Sequence, residues 1–279
     1  MRLPSKKAVY DQLPQPVKPV AKRGYCQIKP LFNRVYFTLS DRKTDQELHS
    51  EFVSEFFSSN SEYNGYVEEF NKGSAAHLRN EGLKEYQKLT DRSGLSGIGL
   101  DRAQDYYALV RKLEPSIIVE TGVCNGVSTL SILLALQQNE SGKLYSIDYP
   151  LKADESLDEF RQETFEGYGG AAIPSDKDPG WIIPDELRSA WDLTIGKSQW
   201  ELPRLMTELE TIDMFAHDSE HSHPCMMFEF ELAYEWIRDG GVILSDDISW
   251  NSAFSIFTEV RKTEYGRISN NVGYIKIEC

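Results

Sequence analysis

The feature that most constrains this chain is a pattern that starts at residue 101, where helical stretches alternate with short apolar runs. Asp101–Leu113 (DRAQDYYALVRKL) has the spacing of an amphipathic helix, and Ile117–Glu120 is an apolar strand candidate running into TGVCNG. The pattern then predicts a helix over Ser128–Gln138, a strand over Lys143–Asp148, a third strand over Trp191–Gly196, a helix over Trp200–Leu209 and a fourth strand over Ile212–His217. A long helix is expected over Pro224–Arg238, stopped by Asp239-Gly240-Gly241. Val242–Ser245, Trp250–Lys262 and Val272–Glu278 read as strand, helix and terminal strand. Strands that are apolar throughout cannot leave a face to water. Alternating with helices, they require an α/β architecture, a parallel sheet covered on both faces.

The 279 residues exceed what that sheet needs, so one domain plus an extension is expected. Residues 44–92 look helical: Phe52, Phe56 and Phe57, then Tyr63, Tyr66 and Phe70, fall at helical spacing. This predicts an aromatic-rich helical cap over 36–94. Upstream, Pro4, Pro14, Pro16, Pro19 and Pro30 block regular pairing, so residues 1–35 read as an extended arm. Residues 150–190, with GYGG and SDKDPG, lack strong periodicity and read as a lid or insertion.

Charge is uneven along the chain. The formal net charge is −14, but residues 1–35 carry +7, leaving −21 on the remainder. A body that acidic repels nucleic acid, so a nucleic-acid partner is not expected. No run approaches the roughly 18 apolar residues of a membrane helix, and the basic N-terminus has no apolar core of a secretory signal. Cys26, Cys124, Cys225 and Cys279 show no CxxC spacing, which fits free thiols in a reducing cytoplasm.

In an open α/β sheet, ligands bind beyond the carboxyl ends of the strands, so the residues after each strand carry the functional expectation. After the first strand, Glu120-Thr121-Gly122-Val123-Cys124-Asn125-Gly126 offers two glycines that permit a tight turn and close approach of a ligand. This is not GxGxxG, which weighs against a nicotinamide-dependent dehydrogenase. Asp148, after the second strand, is placed to accept hydrogen bonds from ribose hydroxyls, and together these signals favour a nucleoside ligand. After the fourth strand stands His217-Asp218-Ser219-Glu220-His221-Ser222-His223, and after the fifth Ser245-Asp246-Asp247. Carboxylates converging at one rim suit Mg²⁺, while the histidines could recruit another divalent cation such as Zn²⁺ or Mn²⁺.

The stretch VETGVCNGVSTLSILLALQQNESGKLYSIDYP resembles the first two motifs of class I S-adenosylmethionine (SAM) dependent methyltransferases. GWIIPDELRSAWDLTIGKS and IDMFAHDSEHSHPCMMFEFELAYEWIRDGGVILSDD resemble a subgroup similar to metal-dependent sugar O-methyltransferases and cephalosporin-hydroxylase-like proteins. The resemblance covers 95–279. It implies a Rossmann-like, doubly wound, mostly parallel seven-stranded sheet with an N-terminal helical extension. It further implies that Glu120, Gly122 and Gly126 line the methionine part of SAM, that Asp148 holds the ribose, that Ser198 lies near the adenine, and that Asp218 borders the cofactor. Asp218, Asp246 and Asp247 match metal-ligand positions, and Glu220 or the rival His221 would serve as base. The acceptor expected is a small molecule, a sugar or glycan precursor, and a homo-oligomer is expected by analogy. The competing expectation is a catalytically inactive SAM-binding regulatory or assembly protein. A nucleic-acid methyltransferase fits poorly, because HDSEH stands where the amino-methylating type carries an aromatic-Pro-Tyr motif.

Overall fold

The computed structural model describes residues 43–93, 100–152 and 172–278. The basic arm over 1–35 with Cys26, residues 153–171 of the insertion with Tyr168, and Cys279 lie outside the described residues.

The predicted cap is helical but broken in two places. Helix α1 (Asp45–Phe56) starts at a capping box in which Thr44 and Glu47 satisfy each other's backbone N–H groups. It ends where Phe57 turns extended, and α2 (Asn60–Asn71) starts on the Ser59 cap. Lys72 is extended in turn, and α3 spans Gly73–Ser93. The aromatic stripe is core: Phe52, Phe57, Tyr63 and Phe70 are buried. Phe52 and Phe56 pack on Tyr274 with ring centroids 5.8 and 5.0 Å apart. Polar contacts repeat this attachment, since Asp45 Oδ1 accepts from the backbone N and Nδ2 of Asn270, both at 2.7 Å, and Lys276 donates to Glu55 at 2.6 Å.

The strands are β1 (Ile117–Thr121), β2 (Lys143–Asp148), β5 (Trp191–Ile195), β6 (Ile212–His217), β7 (Ile237–Ser245), β8 (Glu264–Arg267) and β9 (Gly273–Lys276). Two short strands, β3 (Leu151–Lys152) and β4 (Ala172–Ile173), pair separately. The helices between them are α4 (Leu100–Leu113), α5 (Val127–Asn139), α6 (Ser198–Leu209), α7 (His223–Trp236) and α8 (Ala253–Arg261). The seven-stranded sheet has the order β5-β2-β1-β6-β7-β9-β8, parallel from β5 to β7 and antiparallel at β9 and β8.

Successive strand residues point to opposite faces, and the core divides accordingly. Ile118, Met214 and Val242 join the apolar layer under the cap, α4 and α5, while their neighbours Val119, Phe215 and Ile243 join the layer under α6, α7 and α8. The sheet is therefore wound on both faces.

Two sequence expectations need correction. The helix expected over Pro224–Arg238 ends at Trp236, and Asp239-Gly240-Gly241 lies inside β7 rather than closing a helix. Between the pairs Ile212↔Ile237 and Met214↔Val242, β7 carries a bulge. Gly240, at φ +77°, allows the bend, and its N–H bonds the Ile277 carbonyl at 2.8 Å. The helix expected from Trp250 starts at Ala253, after a turn in which Asp247 itself has φ +51°.

Candidate functional site

Backbone hydrogen bonds place the functional loops side by side. Gly122 N bonds Ile147 O at 2.9 Å, Asp218 N bonds Thr121 O at 2.8 Å, and Asp246 N bonds His217 O at 2.9 Å. These continue the sheet ladders past the last strand residues, so the ends of β2, β1, β6 and β7 form one rim. The residues after four separate strands thus converge as the topology requires.

The loop after β1 is shaped by glycine. Gly122 has φ +86°, and a Cβ there would stand 2.1 Å from the Asp218 carbonyl oxygen. Gly126, at φ +99°, opens α5 and faces Gly180. Asp148 accepts from Cys124 N at 2.9 Å and from the Val123 and Tyr149 amides. Burial pushes its carboxyl up to about 6, against the pull of those amides. Trp181, whose Nε1 donates to Asn125 at 2.8 Å, fastens the 172–190 segment to this loop. Trp191 is buried and donates to Ser146, so it packs the core and not a ligand.

Glu120 is turned inward. Its carboxylate accepts from Ser128 (2.7 Å), Thr129 (2.8 Å) and Ser146 (2.8 Å) and is 1 % exposed. It ties β1, α5 and β2 together beneath the loop, and burial pushes it up to about 7. Ser198 is likewise buried, turned toward Cys225 and Glu229.

The acidic side of the rim holds Asp218, Asp246 and Asp247 with His221 between them. His221 Nε2 lies 3.6 Å from Asp218 Oδ1, and its Nδ1 lies 3.3 Å from Asp247 Oδ2. Burial disfavours the imidazolium, but the neighbouring Asp218 carboxylate, with Asp247 and Asp246 behind, outweighs it and raises the imidazole above its ordinary value. Burial and the neighbouring Asp218 and Asp247 charges push Asp246 up to about 7. Asp218 is raised by burial too, against the pull of His221. Glu220 is half-buried, and its charge bears on Cys225.

Sequence reasoning missed the residues that hold this cluster. Asn271 donates to Asp247 and, at 3.4 Å, to Asp246, while its own Oδ1 accepts from Ser249. Asn251 Nδ2 holds the His221 carbonyl at 2.8 Å. Tyr106 of α4 brings a buried hydroxyl, raised by burial and by Asp246, that has no hydrogen-bond partner among the described residues. Glu229 is fully buried on α7. Only Glu229 left a signal: Cys225, Met226, Glu229, Phe230 and Ala233 form a helical stripe in which one member is acidic.

The donor set does not fit the expected divalent cation. One oxygen of Asp247 accepts from Asn271 and the other faces His221, Asp246 Oδ1 accepts from Asp247 N at 2.8 Å, and the imidazole separates Asp218 from Asp247. Among the described residues, no group of three or more His, Cys, Asp or Glu is placed to hold a metal. Nor is any helix among them long and apolar enough to cross a membrane.

Comparison with known proteins agrees with the topology. Residues 119–248 match the model of a methyltransferase-domain family. Among solved structures, a Klebsiella pneumoniae protein provisionally described as an O-methyltransferase superposes with a TM-score of 0.51 at 16% identity, covering 78% of this chain and 97% of that one. Cofactor-bound Rv0187 from MTB superposes at 0.50 with 12% identity, covering 71% and 90%. An O-methyltransferase from Bacillus cereus in complex with SAH gives 0.48 at 14%, covering 84% and 100%. No curated protein matches the sequence. The segment 119–248 is thus similar to a methyltransferase domain, and the glycine loop after β1, the acid after β2 and the sheet order agree with that similarity.

Proposed function

We propose that this chain transfers the SAM methyl group to an oxygen of a small hydroxylated acceptor, a sugar or glycan precursor, with His221 as the base. The carrying observation is the His221 imidazole held between two carboxylates at the ends of β6 and β7, on the same rim as the Gly122–Gly126 loop.

The glycine loop and Asp148 fit SAM by their chemistry: a backbone cradle closed to side chains, and a carboxylate at its edge able to accept from vicinal hydroxyls. When bound, SAM supplies an electrophilic sulfonium methyl. Asp148 would hold the ribose and the loop amides the methionine portion. Positioning can supply roughly 7–11 kcal/mol of the barrier to such a reaction. His221 takes the acceptor proton, and Asp218 and Asp247 stabilise the resulting imidazolium. Glu120 supports the loop from below instead of touching ligand. His221 is preferred to Glu220 because Asp218 and Asp247 bracket its imidazole and would stabilise the protonated form. For a divalent cation the support is the crowding of Asp218, Asp246 and Asp247 alone, and no step is assigned to a metal.

The test is SAH release from SAM with a panel of hexoses, sugar nucleotides and catechols, repeated with His221→Ala. The expected result is turnover with a sugar and a loss of at least about a hundredfold in the variant. Tight SAM binding without SAH release on any acceptor would return the non-catalytic reading, and activity indifferent to His221 would move the base elsewhere.

A further inference from the structure

Beneath His221 lies a second carboxylate–imidazole pair that the proposed chemistry leaves unused. His217, the last residue of β6, and Glu229, in the middle of α7, are both fully buried, with His217 Nδ1 at 2.6 Å from Glu229 Oε2. Glu229 is a hub for several elements. It accepts from Thr121 Oγ1 of β1 at 2.6 Å and from Ser219 Oγ after β6 at 2.7 Å, with Cys225 Sγ at 3.5 Å. Ser198 of α6 joins them.

A carboxylate–imidazole pair at this depth is poor evidence for stability, because apolar side chains of similar volume often serve as well. Its geometry suggests another use. An ionised carboxylate only accepts, so the His217 Nδ1 must carry the hydrogen, and the ring cannot turn without breaking that bond. Its opposite nitrogen, Nε2, has no partner among the described residues. The His217 ring is clamped between Phe230, at a centroid distance of 5.4 Å and 70°, and His221, at 5.4 Å and 87°.

His221 needs such a support. Its nitrogens stand 3.6 and 3.3 Å from Asp218 and Asp247, at or beyond hydrogen-bond reach, so the carboxylates attract the ring without fixing its plane. An edge-to-face ring contact does fix a plane. We propose that the Glu229–His217 pair is a positioning device for His221: Glu229 locks the His217 ring, and that ring sets the orientation and tautomer of the imidazole between Asp218 and Asp247. This rests on the reading of His221 as the base. His217 and Glu229 are positioning residues and touch no reacting atom.

The chain has only five histidines, so the imidazoles can be read individually. The experiment is a two-bond ¹H–¹⁵N imidazole correlation spectrum of the full chain, assigned with His221→Ala. Wild type should show His217 as the Nδ1–H tautomer and His221 in a single form. His217→Gln, which keeps a donor for Glu229 but removes the ring, should average the His221 nitrogens. The double variant His217→Leu/Glu229→Met, which replaces the pair with apolar volume, should do the same. Glu229→Gln, which can still accept from Nδ1, should preserve the wild-type pattern. An unchanged His221 pattern in either folded variant lacking the His217 ring overturns the proposal, as does an averaged pattern in wild type. Failure of the base assignment would show separately, as SAH release surviving in His221→Ala.

Discussion

Gly122→Ala tests the site at the point where two loops meet most closely. Gly122 has φ +86°, a region that costs an L-residue roughly 1–2 kcal/mol. The new Cβ would stand 2.1 Å from the Asp218 carbonyl oxygen, 2.4 Å from its carbon and 2.8 Å from Ser219 N. These are backbone atoms, held by Asp218 N on Thr121 O, so no side chain can swing aside. Forced overpacking of this kind costs about 1–3 kcal/mol. The sum is about 2–5 kcal/mol, or a fall in Tm of about 5–15 °C for a domain of this size. Relaxation must displace Asp218 relative to the β1 loop, so SAM affinity should fall together with stability. Gly65→Ala is the control. Gly65 lies exposed in α2 with nothing within 4 Å of a new Cβ, and helix propensity alone should stabilise it by about 0.5–1 kcal/mol. The assay is thermal unfolding with calorimetric SAM titration of both variants. A Gly122→Ala protein that melts within about 2 °C of wild type and binds SAM normally would refute the close packing of these loops and the cofactor cradle built on it.

Asp148→Ala should weaken SAM about ten- to a hundredfold in the same titration, the worth of charged hydrogen bonds near 1.5–3 kcal/mol; unchanged affinity removes the ribose assignment. Glu120→Gln should flatten the pH dependence of stability. Its folded carboxyl is pushed up to about 7 from an ordinary 4.5, so the folded state binds more protons between those values, and wild-type stability falls as pH rises through that window. The lost stability amounts to about 3 kcal/mol, and parallel wild-type and variant melting curves from pH 4.5 to 7.5 would contradict it. Asn271→Ala should destabilise by about 1–3 kcal/mol by leaving the Asp246–Asp247 pair without its amide donor, read by denaturant unfolding. EDTA should leave SAH release unchanged; restoration of lost activity by Mg²⁺ alone would reinstate the cation that the donor geometry disfavours.

The central strands β1 and β6 were legible because they are buried on both faces and read as mostly apolar runs. Lys143–Asp148 and Ile212–His217 match to the residue. Strand β8 was not, since EYGR at an exposed edge carries no apolar pattern. The end of α7 was misread because Asp239-Gly240-Gly241 has the chemistry of a helix stop, whereas the helix ends earlier, where Ile237 turns extended and pairs with Ile212. The rim residues could be named because topology alone puts strand ends together. What each does with its side chain could not. Glu120 and Ser198 sit where a motif expects ligand contact, yet hydroxyls and thiols from distant elements have claimed them. Asn251 and Asn271 reach their partners across loops with no local periodicity, so nothing near them in the chain marks them.

The attachment of α1 to the last hairpin bears on how this chain comes to be folded. Asp45 meets Asn270, and Glu55 meets Lys276, across more than 220 residues. While the chain is being made, the first described helix can meet Tyr63 and Asp105 early through His49, but its contacts with Asn270, Tyr274 and Lys276 wait until nearly the whole described domain has emerged. Local helix formation is fast, but an amphipathic helix without its tertiary partner is marginal in water. The Phe52–Phe56 side of α1 is therefore completed only when β9 closes a long loop onto it, the kind of non-local contact that forms slowly. In a nascent chain α1 acquires its β9 contacts long after it is made.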